Sequence, residues 1–144
     1  MIAVDTNVLV YANRDELPLH RAAVSALRRL AEGSDPWGIP VFCIGEYLRV
    51  VSHSNLFKPP TQMTSALESI HILFESPSAR LLTPGPEFVK LLREQLSASG
   101  ATGNLVFDAQ IAAVCLEHGV SALLTEDRDF RRFPGIRIQP ITTF

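Results

Sequence analysis

An excess of charge of either sign is what this chain most plainly lacks: 13 Lys and Arg stand against 15 Asp and Glu in 144 residues, a formal net charge of −2. That excludes a global basic field for holding nucleic acid, so any such binding has to come from a local patch or from metal ions. Cysteine is nearly absent. Cys43 and Cys115 each lie among apolar neighbours, which reads as two buried thiols and not as a disulfide. They also lack the local pairing of a zinc site. Long apolar runs are missing too. The longest, Ile111 to Leu116, falls far short of a bilayer span. No basic segment with a long apolar core precedes Asp5, so no secretory signal is expected. With these absences, a cytoplasmic chain away from membranes is expected.

What is present is enough apolar residue to build a core. Hydrophobic residues make up 47% and charged residues 19%, the composition of a folded domain. Residues 1–144 read as a single domain, with no repeat, low-complexity segment or linker. Ile2 to Asp5 reads as a short buried strand, and Thr6 to Asn13 as a helix that Thr6 or Asn7 can cap. His20 to Glu32 has Ala23, Val24, Leu27 and Leu30 on one face and Arg21, Arg28 and Arg29 on the other. Further helices are expected over Val41–His53, Met63–Phe74, Glu87–Ala98 and Leu105–His118. "SDPWGIP" reads as a turn leading into a brief strand, and strands are expected in "ARLLTP", "VSALLT" and, at an edge, "IRIQPI". Alternation of this kind predicts a three-layer α/β/α fold with a mostly parallel central sheet. In such sheets the functional crevice lies beyond the carboxyl ends of the strands.

Asp5 falls at that rim, and a carboxylate ending an apolar strand demands compensation. Asp127 follows "VSALLT" and should share the rim. Glu46 interrupts "VFCIGEYLRVV" on or beside its buried face. Asp108 lies in the first turn of a nearly all-apolar helix, where the helix dipole favours the ionised form. Each acid has an ordinary structural role open to it: helix caps for Asp5 and Asp108, an Asx-turn for Asp127, a pair with Arg49 for Glu46. Together they form an all-oxygen set suited to magnesium, with manganese as a substitute, rather than zinc or copper. Repulsion among them predicts that neutralising Asp5 or Asp108 leaves stability equal or higher. His20, His53, His71 and His118 are scattered and read as structural or surface residues.

The segments "IAVDTNVLVYA", "GEYLRVVS", "FDAQIAAVCLEHG" and "LLTEDRDF", in this order, resemble the PIN domain and, within it, the VapC-type toxins of bacterial toxin–antitoxin pairs. The resemblance covers nearly the whole chain. It implies that Asp5, Glu46, Asp108 and Asp127 are the metal-binding and catalytic acids, supported by Thr6, Thr125 and Asp129. Phe107 departs from the pattern, standing where several members carry His. The resemblance further implies a magnesium-dependent endoribonuclease that hydrolyses RNA with a metal-activated water. Its expected partners are an RNA substrate, a VapB-type antitoxin and a second copy of itself. Arg14, Arg128, Arg131 and Arg132 are the candidates for holding the RNA backbone. Val8, Tyr11 and Leu48, where exposed, are candidates for docking the antitoxin.

Other readings fit less well. A haloacid-dehalogenase-type phosphatase also begins with a strand-terminal Asp. It needs a second acid two residues on, where this chain has Asn7, and a downstream Lys. Lys58 and Lys90, the only lysines, are both misplaced for that role, and a receiver domain fails on the same point. A PIN nuclease of RNA processing that is not a toxin, or a binding module that kept the fold without catalysis, remain the alternatives.

Overall fold

The computed structural model describes residues 1–144. In chain order the elements are β1 (Ile2–Val4), α1 (Thr6–Asn13), α2 (His20–Glu32), β2 (Trp37–Pro40), α3 (Val41–Val51), α4 (Met63–Phe74), β3 (Ala79–Leu82), α5 (Phe88–Ser99), α6 (Leu105–Glu117), β4 (Ala122–Leu124) and β5 (Ile138–Gln139). Short 3₁₀ turns cover Arg128–Arg132 and Ile141–Thr143. The five strands form one sheet in the order β3-β2-β1-β4-β5, and every pairing is parallel. The sheet is thus wholly, not mostly, parallel.

β1 lies at the centre. Ala3 and Val4 point to opposite faces of the sheet, and both are 0% exposed, so helices cover both faces. Their short, apolar side chains suit a strand enclosed on both sides. β5 shrinks to two residues because Pro140 follows and has no N–H to extend the ladder. Edge strands tolerate such an ending. α6 carries apolar residues on every side, with Ala109 and the run Ile111–Cys115 all buried. Its lack of a polar face is therefore the mark of an interior helix. Gly119 then takes φ 64°, the left-handed conformation that lets the chain turn out of α6 into β4.

The helix boundaries shift by a residue or two from expectation, and one assignment changes. The cap of α1 is Asp5, whose side chain accepts the Thr6 N–H, the structural role left open to it above, rather than Thr6 or Asn7. On α2, Ala26 joins the buried face while Val24 is only half buried. On α3, Cys43, Tyr47 and Val51 are buried, and Phe42 and Leu48 are half buried.

Register fixes the rim. The last paired residues of β1 and β4 are Val4 and Leu124. The Asp5 N–H still reaches the Leu124 carbonyl at 3.1 Å. Asp5 and Thr125 therefore emerge side by side from adjacent strands at the same end of the sheet.

Gly38 on β2 is required by packing. A Cβ there would lie 2.7 Å from both Cγ and Cδ2 of Leu82, itself 1% exposed. Gly45 on α3 is the opposite case, since a Cβ there meets nothing within 4 Å. Gly38→Ala is expected to destabilise by about 1–3 kcal/mol through overpacking. Gly45→Ala should be neutral or stabilise by up to about 1 kcal/mol through helix propensity. Thermal melting of the two variants checks this, and equal melting temperatures would refute the packing account of Gly38.

Candidate active site

Asp5 is 4% exposed, and its carboxylate is held by donors on every side. Oδ1 accepts the Thr6 backbone N–H at 2.7 Å and faces the Cys43 thiol at 3.8 Å. Oδ2 accepts the Thr125 hydroxyl at 2.6 Å and the Asn7 side-chain amide at 2.9 Å. Thr125, fully buried, is the hub of this cluster. Having donated its proton to Asp5, its Oγ1 accepts from Asn7 Nδ2 at 2.8 Å and from the Asp127 N–H at 3.0 Å. Thr6 links the next acid, donating its hydroxyl to Glu46 Oε2 at 2.8 Å.

The ordinary roles and the clustered one coexist. Asp5 caps α1. Asp127 caps the 3₁₀ turn that follows it, accepting the Asp129 N–H at 2.8 Å. Glu46 stands 3.9 Å from Arg49, a loose pair. Asp108 differs: the cap position of its helix is Asn104, and no protein donor bonds its carboxylate. All four acids nonetheless line one open cleft of ≈ 250 Å³, together with Asn7 and Tyr11.

Burial and mutual repulsion set the charge state. Asp5 has its pKa raised from 3.8 to about 6, mainly by burial; the Thr125 and Thr6 hydrogen bonds oppose this, and Glu46 and Asp127 add to it. Asp108 rises to about 7, through burial first and then the charges of Asp127, Asp5, Glu46 and Asp129. The position of Asp108 near a helix N-terminus had favoured ionisation. That expectation is corrected here, because the dipole contribution is outweighed by burial and four acidic neighbours.

No three acidic, His or Cys side chains are already closed into an ion cage. The donor chemistry nevertheless fits a hard divalent cation. The acids offer carboxylate oxygens, and the one sulfur near Asp5 belongs to Cys43, whose pKa burial pushes well above its usual value, so it stays a thiol. Oxygen-only ligation suits magnesium or manganese.

The supporting residues divide. Thr6 and Thr125 are integral to the acid network, while Asp129 is exposed and 3.3 Å from Arg132. Arg128, Arg131 and Arg132 are exposed on the turn after Asp127. Arg14 is otherwise engaged: it bonds Glu16 at 2.5 Å and Thr61 at 3.0 Å, and lies 4.4 Å over the Phe57 ring. Its guanidinium fastens the end of α1 to the loop before α4. Val8, 0% exposed, offers nothing to a docking partner, whereas Tyr11 and Leu48 are half buried. Sequence reasoning missed the part Asn7 plays at the site, having weighed it only as a helix cap and as an absent acid. An amide two residues after a strand-terminal Asp, in the first turn of the helix, is the signal that would have found it.

A carboxyl group with a higher pKa in the folded chain than in the unfolded one binds its proton more tightly when folded. Its contribution to stability is full below the unfolded value of about 4 and is lost as pH rises through the folded value. Asp5 and Asp108 therefore predict that the metal-free protein loses thermal stability as pH climbs from about 4 toward the raised values of about 6 and about 7. Asp108→Asn should raise the melting temperature at pH above 7 and flatten this profile. Asp5→Asn should not, because it sets an amide N–H₂ against the Thr125 and Asn7 donors, so the two substitutions are not equivalent as the sequence suggested. Melting curves across pH check this, and a flat profile for the parent protein would contradict it.

The sequence matches the PIN domain over residues 2–136. Among curated proteins, Ribonuclease VapC43 of Mycobacterium tuberculosis is 36% identical over 137 residues, which span 95% of this chain and 92% of the relative. Ribonuclease VapC48 of the same species is 32% identical, over 94% and 93% of the two chains. The fold is shared with VapBC2 from Rickettsia felis, solved bound to a DNA fragment from its promoter. That match has a TM-score of 0.70 and 20% identity, and covers 97% of this chain and 98% of that one. From the sheet order, the rim acids and these relatives together, the chain belongs to the PIN-domain family.

Proposed function

We infer that the protein is a divalent-metal-dependent endoribonuclease, the toxin of a VapBC-type toxin–antitoxin pair. The observation that carries this is the set Asp5, Glu46, Asp108 and Asp127 along one cleft, with the pKa values of Asp5 and Asp108 raised by burial and repulsion. Acids arranged so are poised to exchange protons for a cation. The relatives at 31–36% identity carry the name ribonuclease, which supports the same reading.

Asp5 and Asp108 are assigned as the direct ligands of magnesium, with manganese as a substitute, and Glu46 and Asp127 as the acids that complete the site. Such an ion supplies charge neutralisation at the scissile phosphate and a water of lowered pKa. The remaining tasks fall to the chain. Thr125 and Asn7 fix the orientation of Asp5, and the backbone N–H of Asp127 bonded to Thr125 draws the last acid to the rim. Thr6 holds one oxygen of Glu46 and leaves the other turned toward Arg49. The exposed Arg128, Arg131 and Arg132 are assigned to the RNA backbone, with Asp129 restraining the last of them.

No helix is long and apolar enough to cross a membrane, and the proposed working compartment is the cytoplasm. The proposed partners are a VapB-type antitoxin, an RNA substrate and a second copy of the chain, in a complex built on this single domain.

Purified protein is expected to cut structured RNA with magnesium or manganese, leaving 5′-phosphate ends, and to stop when chelator is added. Asp108→Asn should lower cleavage by at least about a hundredfold while the protein remains folded, in keeping with loss of a charge that acts on the transition state. Undiminished cleavage in chelator, or by folded Asp108→Asn, would refute the mechanism.

A further inference from the structure

Glu46 and Asp108 face a second space besides the cleft they share with Asp5. Both also line a wider groove of ≈ 870 Å³ between α3 and the first turn of α6, backed by Val41, Phe42 and Ile111. Phe107 stands in this groove with 61% of its surface exposed. A single exposed hydrophobe is unremarkable by itself. Its place is not, since Phe107 directly precedes an acid of the cleft on a helix that otherwise buries most of its apolar residues. The α3 side of the groove is open at Gly45, where a Cβ would meet nothing within 4 Å. One turn on, the Arg49 side chain is 64% exposed and only loosely paired, 3.9 Å from Glu46. The groove therefore combines an aromatic face, an exposed and only loosely paired cation, and an acid site at one end. A helical protein ligand would need a continuous apolar stripe, which Arg49, Asn104 and Gln110 interrupt. An unpaired nucleotide needs what is there: a ring to stack on and a cation for its phosphate.

We propose that Phe107 is a stacking platform for an unpaired base beside the scissile phosphate, with Arg49 holding the neighbouring phosphate, so that the strand runs along α3 into the acid cleft. This rests on the nuclease reading above and adds to it a preference for single-stranded segments. Base stacking on the ring tolerates any base, because every base has a π-face, whereas a paired base cannot leave its stack to reach the groove without losing its partner.

Binding is measured in the Asp108→Asn background with magnesium present, so that the strand survives. The probes are a short fluorescein-labelled single-stranded RNA of mixed sequence and the same strand annealed to its complement. Adding Phe107→Ala is expected to weaken single-strand binding about tenfold, within the range that loss of one stacked base gives, and to leave duplex binding unchanged. Gly45→Leu should weaken single-strand binding similarly, by filling the groove from an open helical position. Phe107→Trp should keep the affinity, and its fluorescence should be quenched by the single strand; Trp37, the only other indole, is 0% exposed, out of the strand's reach, and contributes a constant background. Unchanged single-strand affinity in Phe107→Ala or Gly45→Leu, or an equal loss for the duplex, overturns the proposal. The nuclease reading is judged separately, by chelator and Asp108→Asn cleavage, so a lost groove with metal-dependent cutting intact removes the stacking platform alone.

Discussion

The hydrogen bond from the Thr125 hydroxyl to Asp5, 2.6 Å long, joins two parallel strands at the point where they leave the sheet. The rest of the site hangs on it. A carboxylate so deeply buried is sustained only by donors that replace water. Here the donors are Thr6 and Asn7 of α1 and Thr125 just past the end of β4. Because the same Thr125 oxygen accepts the Asp127 N–H, the loop carrying the last acid is tied to the first acid through a single atom. Thr6, whose N–H is capped by Asp5, turns its hydroxyl to Glu46 and draws α3 into the same network. A metal ligand fixed from several directions loses little freedom on binding, which is the usual route to a preorganised site.

Rigidity at Asp5 contrasts with freedom at Asp108. Asp108 accepts no protein hydrogen bond, and its proton affinity is raised chiefly by burial and by its acidic neighbours. The pKa values of both acids are thus raised, but against different opposition. The pKa of Asp5 rises only to about 6 because hydrogen bonds to its ionised form oppose burial, whereas Asp108 has no such bonding to oppose the shift and rises to about 7. The helix end beneath Asp108 contributes at most about 2 kcal/mol in favourable geometry and is overridden. Electrostatic strain of this kind is stored where a cation can relieve it, and structural compensation comes from the packed interior around β1 and α6.

α6 serves both purposes. Its middle is buried on all sides and anchors the sheet, while its first turn emerges beside the cleft, with Phe107 exposed and Asp108 lining the cleft. A helix with no amphipathic period is poorly described by periodicity, yet this one is where interior packing and surface chemistry meet. α3 mirrors it, burying Cys43, Tyr47 and Val51 on one face and offering Gly45, Glu46 and Arg49 on the other.

The sequence by itself determined the order of strands and helices and the strand-end position of Asp5. Both are local matters: apolar runs, turn residues and helical periodicity act over a few residues, and a charge at the end of an apolar run is conspicuous without any neighbour. The four acids were also legible, because each interrupts an apolar segment or follows one. Tertiary structure decided what those acids do to one another. That Thr125 and not another residue bonds Asp5 depends on the β1–β4 register, which pairs residues 120 positions apart. That Asp108 is pushed toward neutrality, against its helix dipole, depends on how close α6 brings it to acids from three other elements. Arg14 was readable as a free cation until the fold set it against Phe57 and Thr61. Asn7 gained its role only when the rim closed around it. Register and through-space charge are properties of residues remote in sequence, so no local pattern can carry them.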